Sequence, residues 1–182
     1  KWISYIDENT TFTSIAGTLT SAFLHEELSP VICETIASRA FQFSPEIKQI
    51  DENLFLLELN KGPTGSQKDF GVSFLINTLE TYFQWKGGNA VFCDVTTGHL
   101  GAMISKLLKG KKYLKAVLIY PKGTVKSLSE EDFIWNGGNI LPIEFDGTEE
   151  DCHKIVREIF SNKDFVKQNR LTVANTANIG RL

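Results

Sequence analysis

Lys68 is the residue of this sequence best placed for covalent chemistry. It lies in Lys61-Gly62-Pro63-Thr64-Gly65-Ser66-Gln67-Lys68-Asp69-Phe70-Gly71, where a strand-like run ends, Pro and Gly turn the chain, and an amphipathic helix begins. Ser66 is a good N-cap and Asp69, three residues on, completes a capping-box pattern, so Lys68 falls in the first helical turn. There the positive end of the helix dipole disfavours a second cation and lowers the cost of a neutral amine. A neutral, desolvated lysine attacks aldehydes, which makes the position a candidate for pyridoxal phosphate (PLP) chemistry. The plainer alternative is a solvated lysine at a helix end.

Three further turns carry groups suited to anions. Thr96-Thr97-Gly98-His99-Leu100-Gly101 combines two hydroxyls with two glycines that let a carboxylate or phosphate approach the backbone; the alternative is a tight turn without a ligand. Pro121-Lys122-Gly123 offers an amine that faces either an anion or water. Asn175-Thr176-Ala177-Asn178-Ile179-Gly180-Arg181 groups two amides, a hydroxyl and a guanidinium, whose fork suits phosphate but equally serves as a surface charge. His99 titrates near neutrality, yet no second metal ligand lies at helical spacing from it, and His25 and His153 sit in other segments, so no metal site is expected. A G-x-S-x-G elbow, a Walker A motif and G-x-G-x-x-G are all missing, which removes the commonest hydrolase and nucleotide-binding signatures.

The elements that must position these turns follow from hydrophobic periodicity. Ile15, Leu19, Phe23 and Leu24 mark one helix, and Ser29-Pro30 starts another that runs to about Phe43. Ser44-Pro45 breaks the pattern, and the apolar run Leu54–Leu59 is strand-like and leads into the Lys68 loop. The helix after it is expected to bury Phe70, Phe74, Leu75, Leu79 and Phe83 and to stop at Gly87-Gly88. Strand and helix then alternate: strand Ala90–Val95, helix Gly98–Lys109, strand Leu114–Tyr120, helix about Ser127–Trp135, strand Asn139–Phe145, a helix capped by Thr148 and Asp151, and strand Leu171–Ala174. Continuous apolar strands, each followed by a helix, specify an α/β fold, an open, mostly parallel sheet with helices on both faces, preceded by a helical N-terminal segment. The organisation read from this is a helical lead-in over 1–53 and a lysine loop with a small α/β domain over 54–182.

Composition bounds the rest. The 182 residues are 42% hydrophobic and 23% charged with a net charge of −3, globular material with basic and acidic residues interspersed. That argues against nucleic acid as the main partner. No apolar run reaches the roughly 20 residues that span a bilayer, so no membrane partner is expected. Cys33, Cys93 and Cys152 are widely spaced without a C-x-x-C pair, which suggests reduced thiols and a cytoplasmic protein. The chain starts without Met, and Asn178–Leu182 reads as the opening of a helix without its body, so both ends look cut.

Taken in order, these turns resemble threonine synthase, a PLP enzyme of fold type II. Gly62-Pro63-Thr64 and Lys68-Asp69-Phe70-Gly71 match a family loop close to H-G-P-T-x-x-F-K-D-F-G. Thr96-Thr97-Gly98 and Gly101-Ala102 keep the frame of T-S-G-D-T-G-A, and Tyr120-Pro121-Lys122-Gly123 matches L-Y-P-K-G. Gly137-Gly138-Asn139, then Asp146-Gly147-Thr148 with Asp151-Cys152, resemble G-G-N and E-G-T-F-D-D-C, and Leu171–Leu182 is similar to L-N-S-A-N-S-I-N-x-x-R-L. The resemblance implies that Lys68 binds PLP covalently and shuttles protons, that His99 lies near the cofactor's 3′ oxygen, and that Thr96, Thr97 and the Gly98 amides meet the substrate carboxylate. It also implies that Asn175, Thr176 and Arg181 hold the phosphate of O-phosphohomoserine, the substrate converted with water to threonine and phosphate. Gln67, His99 and Leu100 depart from the usual Phe, Asp or Asn, and Thr. The family's N-terminal Y-x-S-T-R-G stretch is missing, as is its later glycine-rich cup for the PLP phosphate, so the expectation is a central fragment, inactive alone and a poor holder of PLP. A serine or threonine dehydratase and a non-catalytic homologue are the alternatives.

Overall fold

The start of the lysine loop is built by side chains that come from well before it. A computed structural model of the chain describes residues 6, 7, 9–124, 138–175, 177 and 178, arranged as two compact units, Lys1–Thr81 and Tyr82–Leu182. In the first, α1 (Phe12–Leu24) is capped by Thr11, whose hydroxyl accepts the Ser14 N–H at 3.1 Å, and α2 (Pro30–Ala40) has Pro at its first position, where a missing N–H costs nothing. Gly17 allows the two helices to pack closely, since a Cβ there would sit 3.2 Å from the Glu34 Cα. The second helix stops at Ala40, short of the expected Phe43, and Phe41 and Phe43 instead join Phe12, Phe70 and Phe74 in an aromatic cluster with ring centroids 4.8 to 6.5 Å apart. That cluster seats the first turns of α3 (Lys68–Lys86).

Two sequence expectations need correction here. Leu54–Glu58 (β2) is not a lone strand but pairs antiparallel with β1 (Glu46–Asp51), placing Ile47 opposite Leu57 and Lys48 opposite Leu56. The polar composition of Glu46–Asp51 hid it. The buried face of α3 is also turned: Val72, Leu75 and Ile76 are buried with Asp69, Ser73 and Asn77, whereas Phe70, Phe74, Leu79 and Phe83 are only half-buried. Hydrogen bonding sets that face, because the Ser73 hydroxyl donates to the Ala40 carbonyl at 2.7 Å and the Asn77 amide to the Ser73 carbonyl at 2.9 Å.

The second unit is a parallel sheet of β3 (Ala90–Val95), β4 (Leu114–Pro121), β5 (Ile140–Phe145) and β6 (Leu171–Thr172) in the order β5-β4-β3-β6. Its core is the apolar strands, Phe92, Leu114, Leu118 and Ile140, with Met103, Ile104 and Leu108 of α4 (His99–Leu108) and Cys152 of α5 (Glu149–Ser161). The chain moves outward from β3 to β5 and then returns by α5 and α6 (Lys163–Asn169) to pair β6 on the other side of β3. Right-handed crossovers in opposite directions put their helices on opposite faces, and the reversal makes the gap between β3 and β6 a topological switch point. The expected helix near 127–135 lies outside the described residues. The capping box at Thr148 is present: Asp151 N donates to Thr148 Oγ1 at 3.2 Å and Thr148 N to Asp151 Oδ2 at 3.1 Å. Among the described residues no helix is long and apolar enough to cross a membrane, and the three cysteines are buried and free.

Candidate functional site

The site residues anticipated from sequence fall into two groups, one in each unit. In the first, Asp69 organises the lysine loop from inside. Its carboxylate is fully buried and accepts the Thr64 N–H at 2.9 Å, the Thr64 hydroxyl at 2.7 Å and the Ser66 N–H at 3.3 Å. The capping box is therefore closed from the Asp69 side, while Ser66 Oγ accepts the Lys68 N–H at 3.3 Å and the Asp69 N–H goes to the Ser66 carbonyl. Gly62 must lack a side chain, because a Cβ would overlap the Asp69 carboxyl group. Gly65 turns the loop with φ +71, a conformation glycine adopts without strain.

The other end of the loop is tied to the hairpin. Lys61 Nζ lies 2.9 Å from Glu46 and 3.6 Å from Glu58, and Lys48 Nζ is 2.8 Å from Glu58. The hydrogen bond from Lys48, helped by its charge and that of Lys61, holds the Glu58 carboxyl below the usual range, and the Glu46 carboxylate raises Lys61. These pairs are solvent-screened and individually weak, so they orient more than they stabilise. Lys68 itself is the first residue of α3 and is exposed. The desolvated setting expected for it is thus corrected: Asp69 takes the buried position of that turn and leaves the amine in solvent. What the structure gives Lys68 is accessibility, on a loop whose backbone is fixed at both sides.

In the second unit, Thr96, Thr97, Gly98 and His99 follow β3 on a loop that opens α4, with Gly98 as its N-cap. Thr96 is buried, and its Oγ1 accepts the N–H groups of Gly98 at 3.2 Å and Gly101 at 2.9 Å. A Cβ at Gly101 would come within 2.7 Å of Thr96 Cγ2, so the glycine is required for the close fit. Thr97 and His99 are exposed, Gly98 and Leu100 half-buried, at the positive end of the α4 dipole. Lys122 is exposed too, with its N–H donated to the Phe145 carbonyl at 2.8 Å.

Asn175 follows β6, the neighbour of β3, so the structure brings it to the same end of the sheet as the 96–99 loop. Its Nδ2 donates to Asp94 Oδ1 at 2.9 Å and its Oδ1 accepts the Ala177 N–H at 2.9 Å. Thr176 and Arg181 lie outside the described residues. Asp94 was not singled out from sequence. It sits inside the apolar strand Ala90–Val95, fully buried, and the one available signal was that a carboxylate within such a strand demands partners. Among the described residues no group of three or more His, Cys, Asp or Glu side chains gathers as a metal site would require.

Comparison with known proteins places this arrangement. No family model matches the chain. The threonine synthase of Buchnera aphidicola subsp. Schizaphis graminum is 32% identical over 163 residues, covering 89% of this chain and 38% of the relative. The crystal structure of threonine synthase from Escherichia coli superposes with a TM-score of 0.76 at 29% identity, over 94% of this chain and 40% of that one. PLP-bound threonine synthase from Brucella melitensis gives a TM-score of 0.83 at 22% identity, over 95% and 39%, a likeness of fold. The chain therefore spans about two fifths of the length of the relatives it matches, and its fold is that of the fold-type-II PLP enzymes.

Proposed function

We propose, from the premise that this chain belongs to the threonine synthases, that it carries the lysine and substrate loops of an enzyme converting O-phosphohomoserine and water to threonine and phosphate. The observation that carries the reading is the accessible Lys68 amine at the first position of α3, on a loop held by Asp69 from one side and by the Lys61 pairs from the other. PLP, when bound, supplies an electron sink for carbanion chemistry. Lys68 then gives and takes protons at the substrate's α and β carbons, a task that requires an amine on a backbone that does not wander. Thr97 and the amides at the start of α4 meet the substrate carboxylate, where the helix dipole favours negative charge. Thr96 serves by shaping that loop, since its hydroxyl already accepts two backbone N–H groups. Asn175, with Thr176 and Arg181, would hold the phosphate that leaves from the γ carbon, and His99 would be the residue nearest the 3′ oxygen of bound PLP.

The test is phosphate release from O-phosphohomoserine by the full-length protein loaded with PLP, set beside serine and threonine as dehydratase substrates. Turnover of O-phosphohomoserine with threonine as product, abolished in Lys68→Ala, is expected; ketoacid formation from serine or threonine alone would reassign the chemistry. A second reading, a non-catalytic homologue, is favoured by Leu100, whose side chain cannot donate a hydrogen bond where the resembling motif has a threonine. It is the reading left if none of the three substrates turns over.

A further inference from the structure

We infer that Asp94 is a positioning residue: a buried carboxylate that replaces the β-ladder where β6 ends and sets the Asn175 amide for its anion. The ladder between β3 and β6 consists of Val91 opposite Leu171 and Phe92 opposite Thr172. Continued in register, Asp94 stands beside Ala174. At that point the Ala174 N–H donates not to a strand carbonyl but to Asp94 Oδ2 at 2.7 Å, and the next residue's amide, Asn175 Nδ2, donates to Oδ1 at 2.9 Å. One side chain thus takes over the bonding of the strand edge while letting the backbone of β6 diverge, which opens the sheet at its switch point.

The choice of a carboxylate has a consequence for the amide. Because Asp94 only accepts, it dictates that the Asn175 atom facing it is nitrogen, and the Asn175 oxygen then takes the Ala177 N–H at 2.9 Å. A flipped amide would set oxygen against carboxylate. The second Nδ2 hydrogen is the one left for an anion, and the Asn178 N–H, donated to the Asn175 carbonyl at 3.1 Å, together with Asn178 Nδ2, donated to the Val173 carbonyl at 2.8 Å, closes the turn around it. Charge-assisted bonds of this kind are about twice as strong as neutral ones, so the clasp is well suited to hold a loop after a two-residue strand. Neither Asp94 nor its partners can be linked by local sequence, since they are 80 and 81 residues apart.

This inference rests on the proposed function for the identity of the anion but not for the clasp, and two measurements separate them. Asp94→Ala removes both acceptors, whereas Asp94→Asn keeps one oxygen for the Ala174 N–H and turns an amide nitrogen toward the Asn175 nitrogen. Amide hydrogen exchange at Ala174 is expected to accelerate at least about tenfold in Asp94→Ala, beyond any change at the amides of β4, and to stay closer to wild type in Asp94→Asn. Unaltered Ala174 protection in Asp94→Ala would overturn the clasp whatever the activity. In the PLP-loaded protein, Asp94→Asn is expected to raise KM for O-phosphohomoserine about tenfold with a smaller change in kcat, a split that a merely structural role would not produce. A fall in kcat with KM unchanged would overturn the positioning of the anion. Lost Ala174 protection alongside a wild-type protein that does not turn over O-phosphohomoserine would overturn both that positioning and the proposed reaction, while the clasp stands.

Discussion

The two candidate loops solve the same problem from opposite ends. Each joins a strand to a helix and must fix the backbone amides at the helix start. In the 61–69 loop the organising side chain comes from the helix: Asp69 reaches back to Thr64 and Ser66. In the 96–101 loop it comes from the strand: Thr96 reaches forward to Gly98 and Gly101. A carboxylate reaching back has two oxygens with which to collect three loop donors, at the positive end of the α3 dipole. A hydroxyl reaching forward has one oxygen and collects two backbone N–H groups, and it places no formal charge at the start of α4. The comparison also explains the two glycines, Gly62 and Gly101, which are forced by contact with Asp69 and Thr96 respectively.

Breaking the first clasp should have the largest effect. Asp69→Ala leaves the Thr64 N–H, the Thr64 hydroxyl and the Ser66 N–H without their acceptor, at a cost of roughly 3 kcal/mol or more, read as a lower denaturant midpoint, with fast exchange at Thr64 and Ser66. If the midpoint stays put, the loop is not organised from the helix side. Gly101→Ala comes next, with overpacking against Thr96 costing about 1 to 3 kcal/mol. Adding Thr96→Ser, which removes the Cγ2 methyl that the new Cβ meets first, should recover part of that loss; no recovery would mean that something other than Thr96 demands the glycine.

The start of α5 sharpens the contrast with a smaller effect, since its box is exposed and lacks any reactive group. Asp151 is held near a pKa of about 2, first by the Thr148 hydroxyl, below its ordinary 3.8. A folded-state value depressed in this way stabilises the helix start above the ordinary value and is lost as pH falls from there toward about 2. Protection of the first-turn amides of α5, taken relative to intrinsic exchange at the same pH, should therefore be constant above about pH 5 and fall only below pH 4, and Thr148→Ala should lower it at every pH, as expected of one lost cap worth about 1 kcal/mol. A midpoint for that fall near pH 4 or higher would show that Asp151 is not engaged.

What could be read from the residues alone follows the range of the forces involved. The Thr148–Asp151 box, the Ser29-Pro30 start and the alternating strands β3, β4 and β5 depend on neighbours a few residues apart, and their positions in the structure match to within a residue or so. β1 escaped because its six residues are all exposed and carry no apolar alternation strong enough to mark it; its pairing comes from β2. The burial of α3 was misjudged because Ser73 and Asn77 are buried for hydrogen bonds, which hydrophobicity cannot rank against phenylalanine. β6 was expected to reach Ala174 but ends at Thr172, because a side chain from β3 captures the Ala174 amide. In the candidate site, the helix start at Lys68 and the Ser66–Asp69 contact were legible through the capping pattern, whereas Asp94 was not, its partners lying far along the chain.

The central claim, that Lys68 binds PLP covalently, is tested most directly by reducing the full-length protein, loaded with PLP, with borohydride and mapping the modified peptide. The account predicts a pyridoxyl phosphate mass added on Lys68 and nowhere else, and none in Lys68→Ala. Modification of another lysine, Lys61 or Lys122 for instance, with Lys68 untouched, would contradict it.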